Sequence, residues 1–162
     1  MMKAEESRSL GWSVASDSPE TTQKLARGLA PLLSGGEVIL LRGELGTGKT
    51  LFASALIGAL GYEGAVTSPS YVLMCDYPVV ENLTVHHLDF YRLAGDEDLE
   101  TIGPEEFVGE DSIVLVEWPE RCPGAFEDFT LQLDFEVAGE ESRQINIGRG
   151  ELDFEAGGWP EG

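Results

Sequence analysis

The chain has 162 residues, 42% of them hydrophobic and 25% charged, the balance of one ordinary globular domain with a real core rather than of a disordered segment. Ten basic side chains stand against thirty acidic ones, a formal charge of −20, and a surface that negative repels a phosphate backbone and argues against direct, stable nucleic-acid binding. No apolar run approaches the length of a membrane span, and the acidic opening "MMKAEESRSL" lacks a signal peptide's apolar centre, so a cytoplasmic location is expected.

Taken in chain order, "WSVA" reads as a first strand, Trp12–Ala15. A helix follows, with Ser18 as its N-cap and Pro19 at the first helical position. Leu25, Leu29, Leu32 and Leu33 recur at helical spacing, and Gly35-Gly36 supplies the stop. "EVILL" is a short, continuously apolar strand of the kind buried on both faces of a central sheet. A Gly-rich turn then leads into "KTLFASALIGALG", a helix with Phe52, Leu56 and Leu60 on one side and Gly61 at its end.

In the second half, "YVLMCDY" and "LTVHHLDF" read as two strands joined through Pro78 to Asn82. "DEDLETI" and "PEEF" are short helical pieces, and "SIVLVEW" is another buried strand. "FTLQLDF" and "RQINIG" alternate as a closing antiparallel pair. The tail "GRGELDFEAGGWPEG" lacks periodicity and is expected to be frayed and dispensable. The pattern predicts an α/β fold: a mixed β-sheet of the P-loop NTPase type, flanked by helices and β-richer in its C-terminal half. It forms one domain over residues 1–147, followed by a flexible acidic tail, 148–162. Cys75 and Cys122 form neither a C-x-x-C pair nor a metal cluster and read as reduced thiols.

The stretch Gly43-Glu44-Leu45-Gly46-Thr47-Gly48-Lys49-Thr50 fits G-x-x-x-x-G-K-[ST], between a buried strand and an apolar helix. Glycines let the backbone wrap inward so that successive N–H groups point at phosphate oxygens, and the helix N-terminus adds its dipole. Lys49 is placed to reach the β- and γ-phosphates, and the Thr50 hydroxyl to bind Mg²⁺. The pattern arises by chance in fewer than about one chain in a hundred of this length. It does not by itself name the nucleotide or the reaction. The guanine-reading N/T-K-x-D and the D-x-x-G of GTPases are missing, and no lysine follows Lys49. A small-metabolite kinase would draw on several cations to hold its acceptor, and only Arg92, Arg121, Arg143 and Arg149 follow the loop. ATP hydrolysis is the favoured class, with such a kinase as the alternative and a non-catalytic nucleotide-dependent binding module as a third reading.

Three further stretches could complete a site. "SIVLVEWPE" ends a strand in Glu117, where a second Mg²⁺-facing acid belongs; the plain alternative is an exposed acid at a strand end. Trp118 beside it stacks or packs, and packing is the simpler reading. "HHLDFYRL" puts Asp89 at another strand end, able to orient an attacking water or hold a metal-bound one. His86 and His87 point to opposite faces of that strand, which argues against a two-histidine metal site. "TSPSY" is a switch loop or simply a turn around Pro69.

Together these motifs resemble the TsaE (YjeE) family, the small bacterial P-loop ATPases required for making threonylcarbamoyladenosine in tRNA. "GELGTGKT" resembles the family's G-x-L-G-x-G-K-T, "SPSY" its S-P-T-F/Y, "HLDFYRL" its H-x-D-x-Y-R-L, and "LVEWPE" its V-E-W-P. "PETTQKLARGLA" follows its opening helix. The resemblance runs from about Ser18 to Glu120. It implies ATP/ADP and Mg²⁺ as cofactors, with phosphates held by Gly43, Leu45, Gly46, Thr47, Gly48, Lys49, Thr50 and Leu51. Thr50 and Glu117 would be the magnesium ligands, and Asp89, with Lys49, would be needed for hydrolysis. Trp118 and Ser70 would lie at the site, and Thr22 and Arg143 near the base or ribose. Ser70 departs from the family's Thr, keeping the hydroxyl and losing a methyl. The implied partner is a TsaD–TsaB heterodimer, reset between turnovers by ATP binding and hydrolysis, with tRNA engaged only indirectly and the free protein a monomer.

Overall fold

The computed structural model describes residues 11–69, 73–99 and 103–161. Among these residues seven strands form one sheet: β1 (Trp12–Ser16), β2 (Val38–Arg42), β3 (Met74–Pro78), β4 (Thr84–Asp89), β5 (Ser112–Glu117), β6 (Leu131–Val137) and β7 (Arg143–Arg149). Their spatial order is β1-β7-β6-β2-β5-β4-β3. The middle four, β6, β2, β5 and β4, run parallel, while β1, β7 and β3 attach antiparallel at the two sides. This is the expected mixed sheet.

Among the described residues two α-helices cover one face, α1 (Pro19–Leu29) and α2 (Lys49–Ala59). The α1 start is set by Ser18, extended at φ −160°, whose hydroxyl accepts the Thr21 amide at 3.2 Å, with Pro19 following. Leu25 and Leu29 of α1 and Phe52, Leu56 and Ile57 of α2 bury against Ile39, Leu41, Ile113 and Leu115 of the sheet. Every residue of β5 is buried, which explains its apolar run Ile113–Val116.

The sequence predicts helices flanking the sheet; among the described residues both α-helices lie on the same face. The opposite face, Val38, Leu40, Leu88, Val114 and Val116, is closed by Phe90, Leu99, Cys122 and Phe126. These come from loops and short 3-10 turns at Asp96–Leu99, Pro104–Phe107 and Pro119–Arg121. The described part of the expected "DEDLETI" piece, Asp96–Leu99, and "PEEF" are such 3-10 turns; residues 100–102 lie outside the described residues. No helix among the described residues is long and apolar enough to cross a membrane.

Two boundaries differ from expectation. β3 begins at Met74 because Leu73 sits in the left-handed region at φ 71°, a conformation that ends a strand. β3 also keeps Pro78, which an edge strand tolerates because its outer N–H is not needed. The tail is the larger correction. Phe154 and Trp159 are buried, and the Trp159 indole packs edge-on to Trp12 and Phe154 at 6.0 and 6.2 Å between ring centroids. Its Nε1 donates to the Leu25 carbonyl at 2.9 Å. Residues 148–161 therefore close over α1 instead of fraying. Two aromatic side chains outweigh the absence of periodicity, and Gly157 and Gly158, at φ 56° and 95°, permit the turn.

Candidate functional site

β2, β5 and β4 are parallel neighbours, so their C-terminal ends finish at one edge of the sheet, where open α/β sheets place their ligands. The register sets Leu41 beside Glu117 and Glu117 beside Asp89. The chain leaves β2 at Arg42 and turns through Gly43, Gly46 and Gly48, all at positive φ (142°, 78° and 105°), before α2 starts at Lys49. A Cβ on Gly46 or Gly48 would meet no protein atom within 4 Å, whereas one on Gly43 would strike the Phe135 carbonyl oxygen at 2.7 Å. Gly43 is thus required by packing, and the other two by backbone conformation.

The loop, Asp89, Tyr91, Glu117 and Trp118 enclose a cleft of about 280 Å³. Volume alone does not single it out. Another cleft of about 280 Å³ lies between Leu40 and Phe129, and a groove of about 500 Å³ lies between α1 and the tail. What marks the loop cleft is convergence of polar groups. Thr50 Oγ1 donates to Glu117 Oε1 at 3.0 Å and lies 3.3 Å from Oε2. Glu117 is 2% exposed and Asp89 6%, so both carboxylates are held inside the cleft wall. The Tyr91 amide donates to Asp89 Oδ1 at 2.9 Å, fixing the carboxylate's rotation.

Lys49, 4% exposed, donates from Nζ to the Gly43 carbonyl. The ammonium also stands 3.9 Å from the centre of the Trp118 ring, a cation–π contact. Burial pushes its pKa below the ordinary lysine value, opposed by Glu117, Glu120, Asp89 and Glu44. Trp118 itself is left-handed at φ 58° and ψ 47°. Such strain costs about 1 kcal/mol or more in a non-glycine residue and clusters at functional sites. Here it turns the chain between Glu117 and Pro119 so that the indole covers Lys49 and meets Tyr91 at 4.9 Å.

Not every sequence-predicted residue faces the cleft. Leu51 lines it together with Leu45, and Leu45 is otherwise exposed at 67%. Thr47 is buried, its hydroxyl donating to the Glu44 carbonyl at 2.7 Å. Thr22 is also buried, its hydroxyl paired with Ser16 Oγ at 2.7 Å, so its hydroxyl contact is internal. Arg143 reaches the loop from outside: Nε donates to the Thr47 carbonyl at 3.2 Å and Nη2 to the Gly46 carbonyl at 3.1 Å. Ser70 lies outside the described residues.

Sequence reading missed His87. It is fully buried, with Nε2 2.7 Å from Glu117 Oε2. The signal was available: His87 and Asp89 are two apart on one strand, hence on one face, diagonal to Glu117.

The donor set suits a hard divalent cation shared with phosphate. Thr50 and Glu117 offer oxygens, as Mg²⁺ prefers. Among the described residues no group of three or more His, Cys, Asp or Glu could hold a metal. A Mg²⁺ held here would therefore take its remaining ligands from phosphate and water.

The family model described as threonylcarbamoyl adenosine biosynthesis protein TsaE matches residues 16–145. The chain belongs to the TsaE family. It is 40% identical over 135 residues to the tRNA threonylcarbamoyladenosine biosynthesis protein TsaE of Aquifex aeolicus, covering 82% of this chain and 92% of that protein. It is 33% identical over 132 residues to the TsaE of Treponema pallidum, covering 82% and 96%. Among solved structures, Bacillus subtilis YdiB superposes with a TM-score of 0.65 at 28% identity, covering 87% of each chain. The matched span of the TsaE model holds the loop, Asp89, Glu117 and Arg143 and stops short of the tail. As a TsaE-family chain, the protein is placed in tRNA threonylcarbamoyladenosine biosynthesis.

Proposed function

We propose that this protein binds ATP with Mg²⁺ at the Gly43–Leu51 loop and hydrolyses it. The cycle would reset a TsaD–TsaB heterodimer between rounds of threonylcarbamoyl transfer to tRNA adenosine. The observation that carries the reading is the hydrogen bond from Thr50 to Glu117 at the loop's end, with Asp89 one strand away.

Each group then has a task. The loop amides and the α2 N-terminus receive phosphate oxygens. The Lys49 ammonium adds charge where the transferred phosphoryl group passes, and Trp118 shields it from water. Thr50 and Glu117 supply oxygens to Mg²⁺, which when bound offsets charge on the phosphates. Asp89, fixed by the Tyr91 amide, orients the attacking water or accepts its proton. The −20 charge suits a subunit that leaves tRNA to its partners.

The test is phosphate release with ATP and Mg²⁺, with and without purified TsaD–TsaB. Stimulation by the heterodimer is expected, and turnover indifferent to it would refute the partner assignment. Release of ADP that depends on a hydroxylated metabolite would favour a kinase instead.

A further inference from the structure

Glu117 carries a difficulty of its own. A glutamate has one more rotatable bond than an aspartate, and a magnesium-facing carboxylate must present a defined oxygen to be useful. It is also nearly sealed from water at 2% exposure, where a carboxylate lacking hydrogen-bond partners is costly. Thr50 alone does not choose between the two oxygens: its single hydroxyl lies 3.0 Å from Oε1 and 3.3 Å from Oε2, and it can keep donating to either while its oxygen faces a cation.

His87 is the other partner. It projects from β4 on the same face as Asp89, and its register partner on β5 is Leu115, two residues before Glu117. The ring is 0% exposed, Nε2 lies 2.7 Å from Glu117 Oε2, and Nδ1 has no hydrogen-bond partner. An ionised carboxylate only accepts, so the proton sits on Nε2, and the bare Nδ1 is an unused acceptor rather than a stranded donor.

Building on the nucleotide–Mg²⁺ reading above, we propose that His87 is the positioning residue of this site: it ties down Glu117 Oε2 and leaves Oε1, the oxygen nearer Thr50, to serve the cation. His87 holds Oε2 at 2.7 Å, while Thr50 lies nearer Oε1, at 3.0 Å against 3.3 Å from Oε2. The imidazole, specific for Oε2, is what fixes which oxygen of the carboxylate is left for the cation. Partners of this kind typically change metal affinity by about 10- to 100-fold when removed.

The experiment compares the parent protein with His87→Leu and His87→Gln, measuring ATP affinity by calorimetry with Mg²⁺ and with EDTA. Leucine fills the apolar space but cannot donate; the glutamine amide can place a donor close to Nε2. Expected for His87→Leu is a loss of about tenfold or more in the affinity gained on adding Mg²⁺, with the EDTA value unchanged and His87→Gln close to the parent. A folded His87→Leu protein with the full gain, or a folded His87→Gln protein as impaired as His87→Leu, overturns the proposal. With only two histidines in the chain, ¹⁵N spectra of the free parent protein give an independent readout. The Nε2–H tautomer at His87 is expected, and the Nδ1–H tautomer refutes the contact. A parent protein whose ATP binding ignores Mg²⁺ would instead remove the nucleotide–Mg²⁺ reading itself.

Discussion

Arg143 separates two ways of building the nucleotide site, and replacing it by methionine tells them apart. The sequence resemblance puts this residue near the base or ribose. In the structure its guanidinium donates to the Gly46 and Thr47 carbonyls at 3.1 and 3.2 Å, and it is anchored in turn on the Ser142 carbonyl at 2.9 Å. Drawing two loop carbonyls outward turns the opposite edge of those peptides, their N–H groups, toward the cleft. A hydrogen bond from a charged group is worth about 1.5–3 kcal/mol, and partial exposure here reduces that to about 1 kcal/mol each. Losing both costs about 2 kcal/mol of loop order, or about 30-fold in affinity for whatever the amides hold. The assay is titration calorimetry of Arg143→Met with Mg-ATP and, separately, with inorganic tripolyphosphate. A brace acts on phosphate binding, so both ligands should weaken by a similar factor. Weaker ATP binding with tripolyphosphate affinity untouched would refute the brace and return Arg143 to the base or ribose.

Lys49→Ala is expected to abolish tight nucleotide binding by calorimetry, while Glu117→Ala keeps the metal-free ATP affinity, loses the gain on adding Mg²⁺, and loses about two to three orders of magnitude in Mg²⁺-dependent turnover. Trp159→Ala should cost about 3–5 kcal/mol in urea denaturation, because it removes a large buried ring and its contacts with Trp12 and Phe154; a change under about 0.5 kcal/mol would return the tail to a frayed segment. Burial, and then Asp96, Asp98 and Glu97, push the Cys122 thiol up to about 11, so at mildly alkaline pH iodoacetamide should label the half-buried Cys75 while sparing Cys122. Peptide mass mapping reads the ratio, and equal labelling in the folded protein would contradict the burial.

The parts of this molecule legible in its sequence are those governed by local rules. Ser18-Pro19 marks a helix start because capping and a preset φ act within one turn. The loop is legible because glycine spacing is a backbone requirement. The unbroken apolar runs of β2 and β5 announce strands buried on both faces. What escaped depends on contacts distant in sequence. Nothing local to "GRGELDFEAGGWPEG" shows that Trp159 finds the Leu25 carbonyl 134 residues earlier, so its low periodicity reads as looseness. Both α-helices covering one face is likewise a matter of chain path. Resemblance places Arg143 near the base or ribose, yet its contacts follow from β7 pairing with β6 and β1, which carries it up to the loop that extends β2.

Register ties these pieces into one device. β4, β5 and β2 place Asp89, Glu117 and the start of the loop at a single edge because their parallel pairing aligns Asp89 with Glu117 and Glu117 with Leu41. Side chains alternate faces along a strand, so a slip of one residue in β5 would turn Glu117 away from Thr50 and toward the loop-covered face. The central run of β5, Ile113–Val116, is apolar and buried on both faces, and supplies little alternation of its own to forbid such a slip. The polar contacts at its end supply the discrimination. Only in the observed register does Glu117 meet both the Thr50 hydroxyl and the His87 ring; in the slipped one, a carboxylate would be buried against Leu40, Leu88 and Phe90 without a partner, at a cost of several kcal/mol. The Thr50 and His87 contacts that would aim Glu117 at the cation therefore also select the pairing that brings them together.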